Sequence, residues 1–518
     1  ERGSTERRAA PLSSNPRRLP SYQPMGLNKV LLALAVVGLL APARAMPPVP
    51  PPLPFYYVAA SMEQRCDHFN ALNADTFQQR YLVNDTFWGG PGAPILLYTG
   101  AEGDGIESVF AHSGYVLELA RELKALAVFS EMRFFGVSMP YGEHDSFERR
   151  PERLGLLSIE QTLADNAHLV TELRTTYKTK ASRVVALGGS LAGTLAFLLR
   201  AKYPALVHAA LAASAPIFGY ANLTDPYGWY RVATATFEKQ VPGCPHAVRA
   251  AFAALLEASP TAVSKAYDTC RPADDSTGRR IAQLMTDKLS AMATAAYPKV
   301  FSPVLAACKA VMTQPGVGAF APLLVPAGAC FNVSTLHSVP EGLRMPPSAH
   351  ARLARGAPGQ HFSGASTADL AWFYLACTEI VHPIAANNRT DMFPPFEWDP
   401  HALARTCHQL FGVTPRLSWI PESMGMAAGP RALASVTSRV IFSNGLLDPW
   451  SAQSLTANAS RSLVALNMAD GSHHSDLGSW GNPWPGRGDS DDLVRVRREE
   501  LALLRQWLAE DDHGPPAC

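Results

Sequence analysis

The chain has 518 residues, 47% of them apolar, which supports a large core and excludes disorder as the resting state. Lys plus Arg (45) balance Asp plus Glu (44) to a net charge of +1. That balance, with no long run of one sign, excludes nucleic-acid binding driven by bulk charge. Residues 1–24 carry no fold signal and read as an extension ahead of the natural start. Met25 then opens a basic flank at Lys29, an apolar run of eleven residues from Val30 to Leu40, and the small-residue site APARA ending at Ala45. This is the pattern of a secretory signal peptide over 25–45. A bilayer needs about twenty apolar residues, so no stable membrane anchor is expected. Eight cysteines without a C-x-x-C pair, and N-x-S/T sequons at Asn84, Asn222, Asn332, Asn388 and Asn458, agree with an oxidising, glycosylating compartment and give no metal site.

A proline-rich lead-in follows (MPPVPPPLPF, 46–55), and strand and helix signals then alternate. PILLYTG (94–100) and LAVFSEM (126–132) are short apolar runs closed by glycine or charge, as buried parallel strands require. From Ser158 to Lys178 the spacing predicts a helix. Ser158 and Gln161 form a capping box, and Leu163, Ala167, Val170 and Leu173 share one face. RVVALGG (183–189) reads as a strand, LAGTLAFLLRAKYP as the helix after it, and ALAASAP (210–216) as a further strand. From 219 to 425 alanine-rich helical stretches, prolines and six of the eight cysteines replace strand signals. SRVIFSNG (438–445) and SLVALNM (462–468) resume the strands, and Asp491–Leu508 closes the chain as a helix with Leu493, Val496, Leu501, Leu504 and Leu508 on one side. The pattern predicts an α/β chain with a doubly wound parallel sheet, built from residues 46–218 and 426–518, and a mostly helical cap inserted over 219–425.

A serine hydroxyl becomes a nucleophile only when a base takes its proton and a carboxylate orients that base. In α/β-hydrolases the three residues follow strand ends in the chain order Ser, Asp, His. Ser190 follows RVVALGG, Asp448 follows VIFSNG in NGLLDPW, and His473 follows SLVALNM in ADGSHHSDL. Each alone has a plainer reading: a glycine loop, a turn acid, or a surface or metal-binding histidine pair with Asp476. Their order and positions favour a triad. The elbow departs from G-x-S-x-G, because Ala192 stands where its second glycine belongs.

Seven blocks in order resemble the S28 serine peptidases over roughly 55 to 485: LYTGAEGD (97–104), EMRFFGVSMPYG (131–142), GGSLAG (188–193), LACTE (375–379), TDMFPP (390–395), SNGLLDPW (443–450) and GSHHSDL (471–477). The resemblance implies an α/β-hydrolase with a helical cap that admits only a chain end, and peptide substrates cleaved after proline near one terminus. It implies Ser190 as nucleophile, His473 as base, Asp448 as its orienter, and His474 as structural. It also implies that Trp450 lines a proline pocket, that Asp391 faces a substrate amino terminus, and that Cys377 pairs with Cys407. The other six cysteines admit fifteen full pairings, with Cys66 or Cys518 able to stay free. An oxyanion needs two N–H donors; the Leu191 amide supplies one, and the loop Gly100–Ala101–Glu102 is the source of the other.

The chain departs from the family at Ala101, Met132, Phe134, Phe135, Leu191, Ala192, Ser451, Ala452 and Gln453, all outside the triad. ANNRTDMF favours a dipeptidyl peptidase that removes X-Pro from the amino end. ARELKALAVFSEM with DPWS favours the alternative, a Pro-X carboxypeptidase. An esterase on the same fold and an inactive binding protein are the readings from other classes. The expectation is a serine exopeptidase of the secretory pathway, lysosomal or secreted, with peptide substrates and neither metal nor organic cofactor. Assembly as a homodimer is left open.

Overall fold

The computed structural model describes residues 56–103, 105–143, 145–149, 151–325, 328–333, 367–478 and 489–510. The signal segment 25–45, the residues before it and Cys518 lie outside these. Contacts divide the chain after Val58, and the fold described is that of the unit 59–518.

Its centre is an eight-stranded sheet in the order β1-β2-β4-β3-β5-β6-β7-β8. The strands are β1 (Val58–Arg65), β2 (Thr76–Asn84), β3 (Ile95–Tyr98), β4 (Leu126–Ser130), β5 (Val184–Gly189), β6 (Ala209–Ala213), β7 (Val440–Gly445) and β8 (Leu463–Met468). From β4 to β8 every neighbouring pair is parallel. β2 runs antiparallel to β4, so the sheet is mixed rather than wholly parallel. The six strands with continuous apolar runs are those the sequence predicts. Every residue of β3, β4, β5, β6 and β7 is buried, because helices cover both faces. β1 and β2 were not anticipated. Their buried faces carry Gln64 and Gln79, which hydrogen-bond to each other at 2.8 Å and so remove the apolar alternation that announces a strand.

The helix Ile159–Thr176 starts as expected at Ser158, whose hydroxyl accepts the Gln161 amide at 3.2 Å. The reciprocal half of the capping box is absent: the Gln161 side chain donates to Asp67 at 2.6 Å and accepts the His68 amide at 2.9 Å. At the chain end the helix Asp491–Ala509 buries Leu493, Val496, Glu500, Leu504 and Trp507. The inward stripe thus holds an acid and a tryptophan where Leu501 and Leu508 were expected.

The crossover from β6 to β7 carries the helical segment. Its helices Gly228–Gln240, Cys244–Glu257 and Thr277–Thr294 pack around a core that includes Phe237, Phe252, Ile281, Met285 and Phe393. That core extends to Leu447 and Trp450, which lie beside Asp448. Among the described residues three disulfides cross-link this segment, Cys244–Cys308, Cys270–Cys330 and Cys377–Cys407, while Cys66 is buried and unpaired. Loops of 64, 60 and 30 residues are closed in this way, each worth about 3.5–4.5 kcal/mol on chain-entropy grounds. Glu379 of LACTE fastens the segment to the helix Ile159–Thr176. It accepts the Ile159 amide and the Arg416 guanidinium, both at 2.6 Å, and burial pushes its carboxyl up to about 7.

EMRFFGVSMPYG folds as a tight loop around Glu131, whose Oε2 accepts the Val137 and Ser138 amides at 3.0 Å. Gly136 has φ +57, and a Cβ there would lie 2.0 Å from Glu131 Oε1, so only glycine fits. Arg133, fully buried, grips Asp165 with two bonds of 2.7 Å. Met132, Phe134 and Phe135, three of the departures noted above, are core residues.

Candidate active site

β5 ends at Gly189, the helix Leu191–Lys202 begins at once, and Ser190 takes the bend between them with φ 60 and ψ −125. A non-glycine residue at positive φ costs energy, and a hydrolase spends it to lift the hydroxyl above the sheet. The missing elbow glycine has a local answer. A Cβ on Gly188 would lie 2.5 Å from the Ala192 Cβ, so the bare Gly188 makes room for the Ala192 methyl. Gly193 is the close packing point: a Cβ there would lie 2.8 Å from the Ala213 carbonyl of β6. Gly189 leaves space for the His474 ring, which a Cβ would approach to 2.8 Å.

Asp448 follows the carboxyl end of β7 and caps the 3-10 turn Pro449–Gln453, with Oδ1 accepting the Trp450 amide at 3.1 Å. Its Oδ2 lies 2.6 Å from His473 Nδ1. This bond fixes the ring and leaves Nε2 as the basic atom. The His473 amide donates to the Thr294 carbonyl at 3.1 Å, tying the base to the end of the helix Thr277–Thr294. His474 donates its amide to Ser214 Oγ at 2.8 Å, and burial pulls its ring down to about 3, with the neighbouring His473 adding to the effect. It stays neutral beside the base.

Ser190 and His473 line one cavity of about 270 Å³, and Ala101, Glu102, Trp450 and His474 share its wall. Leu191 and Ser190 border a smaller adjoining recess with Pro216, Tyr220, Ile380 and Trp450. The structure therefore brings together Ser190, Asp448, His473, Leu191, Ala101, Glu102 and Trp450. It does not bring Asp391 to the cavity. That carboxylate is fully buried and accepts the amides of Asn387 at 2.9 Å, Phe393 at 3.0 Å and Asn388 at 3.3 Å, holding a turn. Of the sequons, Asn222, Asn332, Asn388 and Asn458 are exposed. Asn84 is 2% exposed with its Oδ1 on the Thr86 amide, so the glycan expected there has no accessible side chain to join.

Sequence reasoning missed much of the wall. Trp229, Trp372 and Asp287 reach it from three separate helices. Trp229 meets Trp450 edge to face at 4.4 Å between ring centroids, making a continuous aromatic surface. None of these residues sits in a motif that would signal it.

Asp476 and Glu500 form a buried acid pair. Asp476 Oδ2 accepts Ser443 Oγ at 2.6 Å, and Glu500 faces Asp476 with neither carboxyl oxygen in a hydrogen bond of normal geometry. Burial, and then the Asp476 charge, raise the Glu500 carboxyl well above its usual range. The unfolded chain releases this proton near pH 4.3 while the native protein keeps it, so stability declines as pH rises above that point. Glu500→Gln should therefore leave the Tm at pH 5 nearly unchanged and raise it by a few degrees at pH 7.5. Equal shifts at both pH values would contradict a shared proton in this pair.

Among the described residues no helix is long and apolar enough to cross a membrane. A family model described as "Serine carboxypeptidase S28" matches residues 64–498. The human protein named "Lysosomal Pro-X carboxypeptidase" is 32% identical over 506 residues, covering 95% of this chain and 96% of its own. The mouse "Thymus-specific serine protease" is 29% identical and covers 87% of each chain. Among solved structures, a 2-hydroxy-6-oxo-6-phenylhexa-2,4-dienoate hydrolase from Rhodococcus aligns over 87% of this chain and 100% of its own, at 11% identity and a TM-score of 0.34.

Proposed function

Since the chain belongs to the S28 serine peptidases, a family of hydrolases with the α/β-hydrolase fold, we propose that it is a carboxypeptidase removing the single residue after a carboxyl-terminal X-Pro. The observation that carries this reading is the aromatic wall of the cavity that holds Ser190 and His473, where Trp229 and Trp450 meet edge to face at 4.4 Å. A flat apolar wall suits a pyrrolidine ring, and a proline held against Trp450 would bring its carbonyl carbon to the Ser190 hydroxyl. The departing residue then lies on the His473 side of the same cavity. The names of the relatives that cover 94–95% of the chain also favour the carboxypeptidase alternative over the dipeptidyl reading. The turn-bound Asp391 supplies no free carboxylate for a substrate ammonium.

In this account His473 Nε2 takes the Ser190 proton as Oγ attacks, and Asp448 stabilises the imidazolium that forms. The Leu191 amide, at the start of its helix, and an amide of the Gly100–Ala101–Glu102 loop receive the oxyanion. His473 protonates the departing nitrogen, and water then releases the acyl group by the same steps reversed. The segment 219–425 acts as the cap over this site. The site of action is the lumen of the secretory pathway or the lysosome, as the disulfides and the lysosomal relatives suggest.

A series of peptides with blocked ends tests the reading. An amino-blocked peptide ending in Pro-Phe should be cleaved with release of Phe, and amidating its carboxyl end should depress cleavage. Cleavage of X-Pro from free amino termini, with blocked peptides inert, would overturn it.

A further inference from the structure

The chemistry above uses Ser190, His473, Asp448 and backbone amides, and it leaves the Glu102 side chain without a task. Glu102 stands on the cavity wall in the loop after β3. Its Oε2 is shut off from solvent and has no hydrogen-bond partner among the described residues. Its carboxyl feels its own amide and the His473 charge, and its own charge acts on the buried Tyr98 hydroxyl. The other titratable groups that line this cavity are Tyr98, His112, Tyr230, Asp287, His473 and His474. Among the described residues lining this cavity there is neither lysine nor arginine. A carboxypeptidase must nonetheless distinguish a free α-carboxylate from a continuing chain, and that requires a donor beside the departing residue.

The geometry limits where such a donor can stand. The departing nitrogen receives its proton from His473, and its own carboxylate carbon lies only about 2.5 Å away through two bonds. The reader of that carboxylate is therefore a neighbour of His473. Glu102 meets this condition, because it shares the cavity wall with His473 and feels the His473 charge. A neutral carboxylic acid can serve: an O–H···O⁻ bond of about 2.5–2.7 Å is among the stronger hydrogen bonds available.

We propose that the Glu102 carboxyl reads the free carboxyl terminus of the substrate, donating its O–H to one oxygen of the departing residue's α-carboxylate. The proposal rests on the Pro-X carboxypeptidase reading above. Burial pushes Glu102 up to about 6, against the opposing effects of its own amide and of His473. The donor is thus present at lysosomal acidity and lost toward neutral pH, where an ionised Glu102 repels the substrate carboxylate. Selectivity for free carboxyl ends then becomes a property of the acidic compartment.

The test is steady-state kinetics of the mature protein on an amino-blocked peptide ending in Pro-Phe, from pH 4.5 to 7.5, with its carboxyl amide as control. The wild-type KM should climb by about ten-fold per pH unit above the Glu102 pKa. In Glu102→Gln the side-chain amide donates at every pH, so the climb in KM should vanish. Glu102→Ala should raise KM at pH 5 by roughly ten- to a hundred-fold and erase the preference for free acid over amide. Fluorophosphonate labelling of Ser190 reports whether each variant is folded. Wild type and Glu102→Gln climbing together, or an acid preference that survives Glu102→Ala, would remove Glu102 from this role. Wild-type release of X-Pro from amino ends, with the free-acid peptide untouched, would instead strike the carboxypeptidase reading itself.

Discussion

Replacing Ser190 by alanine should reduce turnover by up to about 10⁶-fold, the loss seen when a triad serine is removed, with no change in thermal unfolding. The reasoning is local. Ser190 N–H bonds the Ala213 carbonyl at 2.9 Å, and Gly188, Gly189 and Gly193 provide the clearances around the bend. None of these contacts uses the hydroxyl. Alanine would occupy the same positive φ at similar cost, so the variant should fold as the parent does. A fluorophosphonate should label the parent at Ser190 and leave the variant unlabelled. Retained turnover in Ser190→Ala would mean that the nucleophile lies elsewhere.

Most of what positions this serine can be read before any coordinates. The strands β3 to β8 are short apolar runs, and Ser190, Asp448 and His473 follow three of them in hydrolase order. The same logic fails where the interior is polar. Gln64 and Gln79 hide β1 and β2, and Glu500 interrupts the inward stripe of the last helix. The cavity wall was hidden for another reason. Trp229, Trp372 and Asp287 come from three helices far apart along the chain, one of them packed on the sheet core, and no spacing along the chain records that meeting. Cys244–Cys308 and Cys270–Cys330 could not be chosen among fifteen full pairings for the same reason. Asp391 shows the opposite failure. Its motif was legible, but its carboxylate is used to hold a turn rather than facing a substrate.

Asp448→Asn should cost roughly 10⁴-fold in kcat, by analogy with the same change in other triads. Asp448 Oδ2 accepts from His473 Nδ1 at 2.6 Å, and Oδ1 accepts the Trp450 amide at 3.1 Å. An asparagine can keep its oxygen on the Trp450 amide, so the turn should survive. Its NH₂ then points at Nδ1, which must become an acceptor, and the ring proton moves to Nε2. A protonated Nε2 cannot take the serine proton. The loss should therefore appear in kcat, with substrate affinity nearly retained and the Tm lowered slightly if at all. Activity within ten-fold of the parent would show that Asp448 only shapes the turn.

The central claim, that Ser190 and His473 act on a carboxyl-terminal residue held beyond a proline, meets its most direct test in one peptide carrying proline at both the second and the penultimate positions, with both termini free. Mass spectrometry of its early digestion at pH 5 reads which end is cut. The account predicts loss of the single carboxyl-terminal residue, abolished in Ser190→Ala. Release of the amino-terminal dipeptide, with the carboxyl end intact, would contradict it.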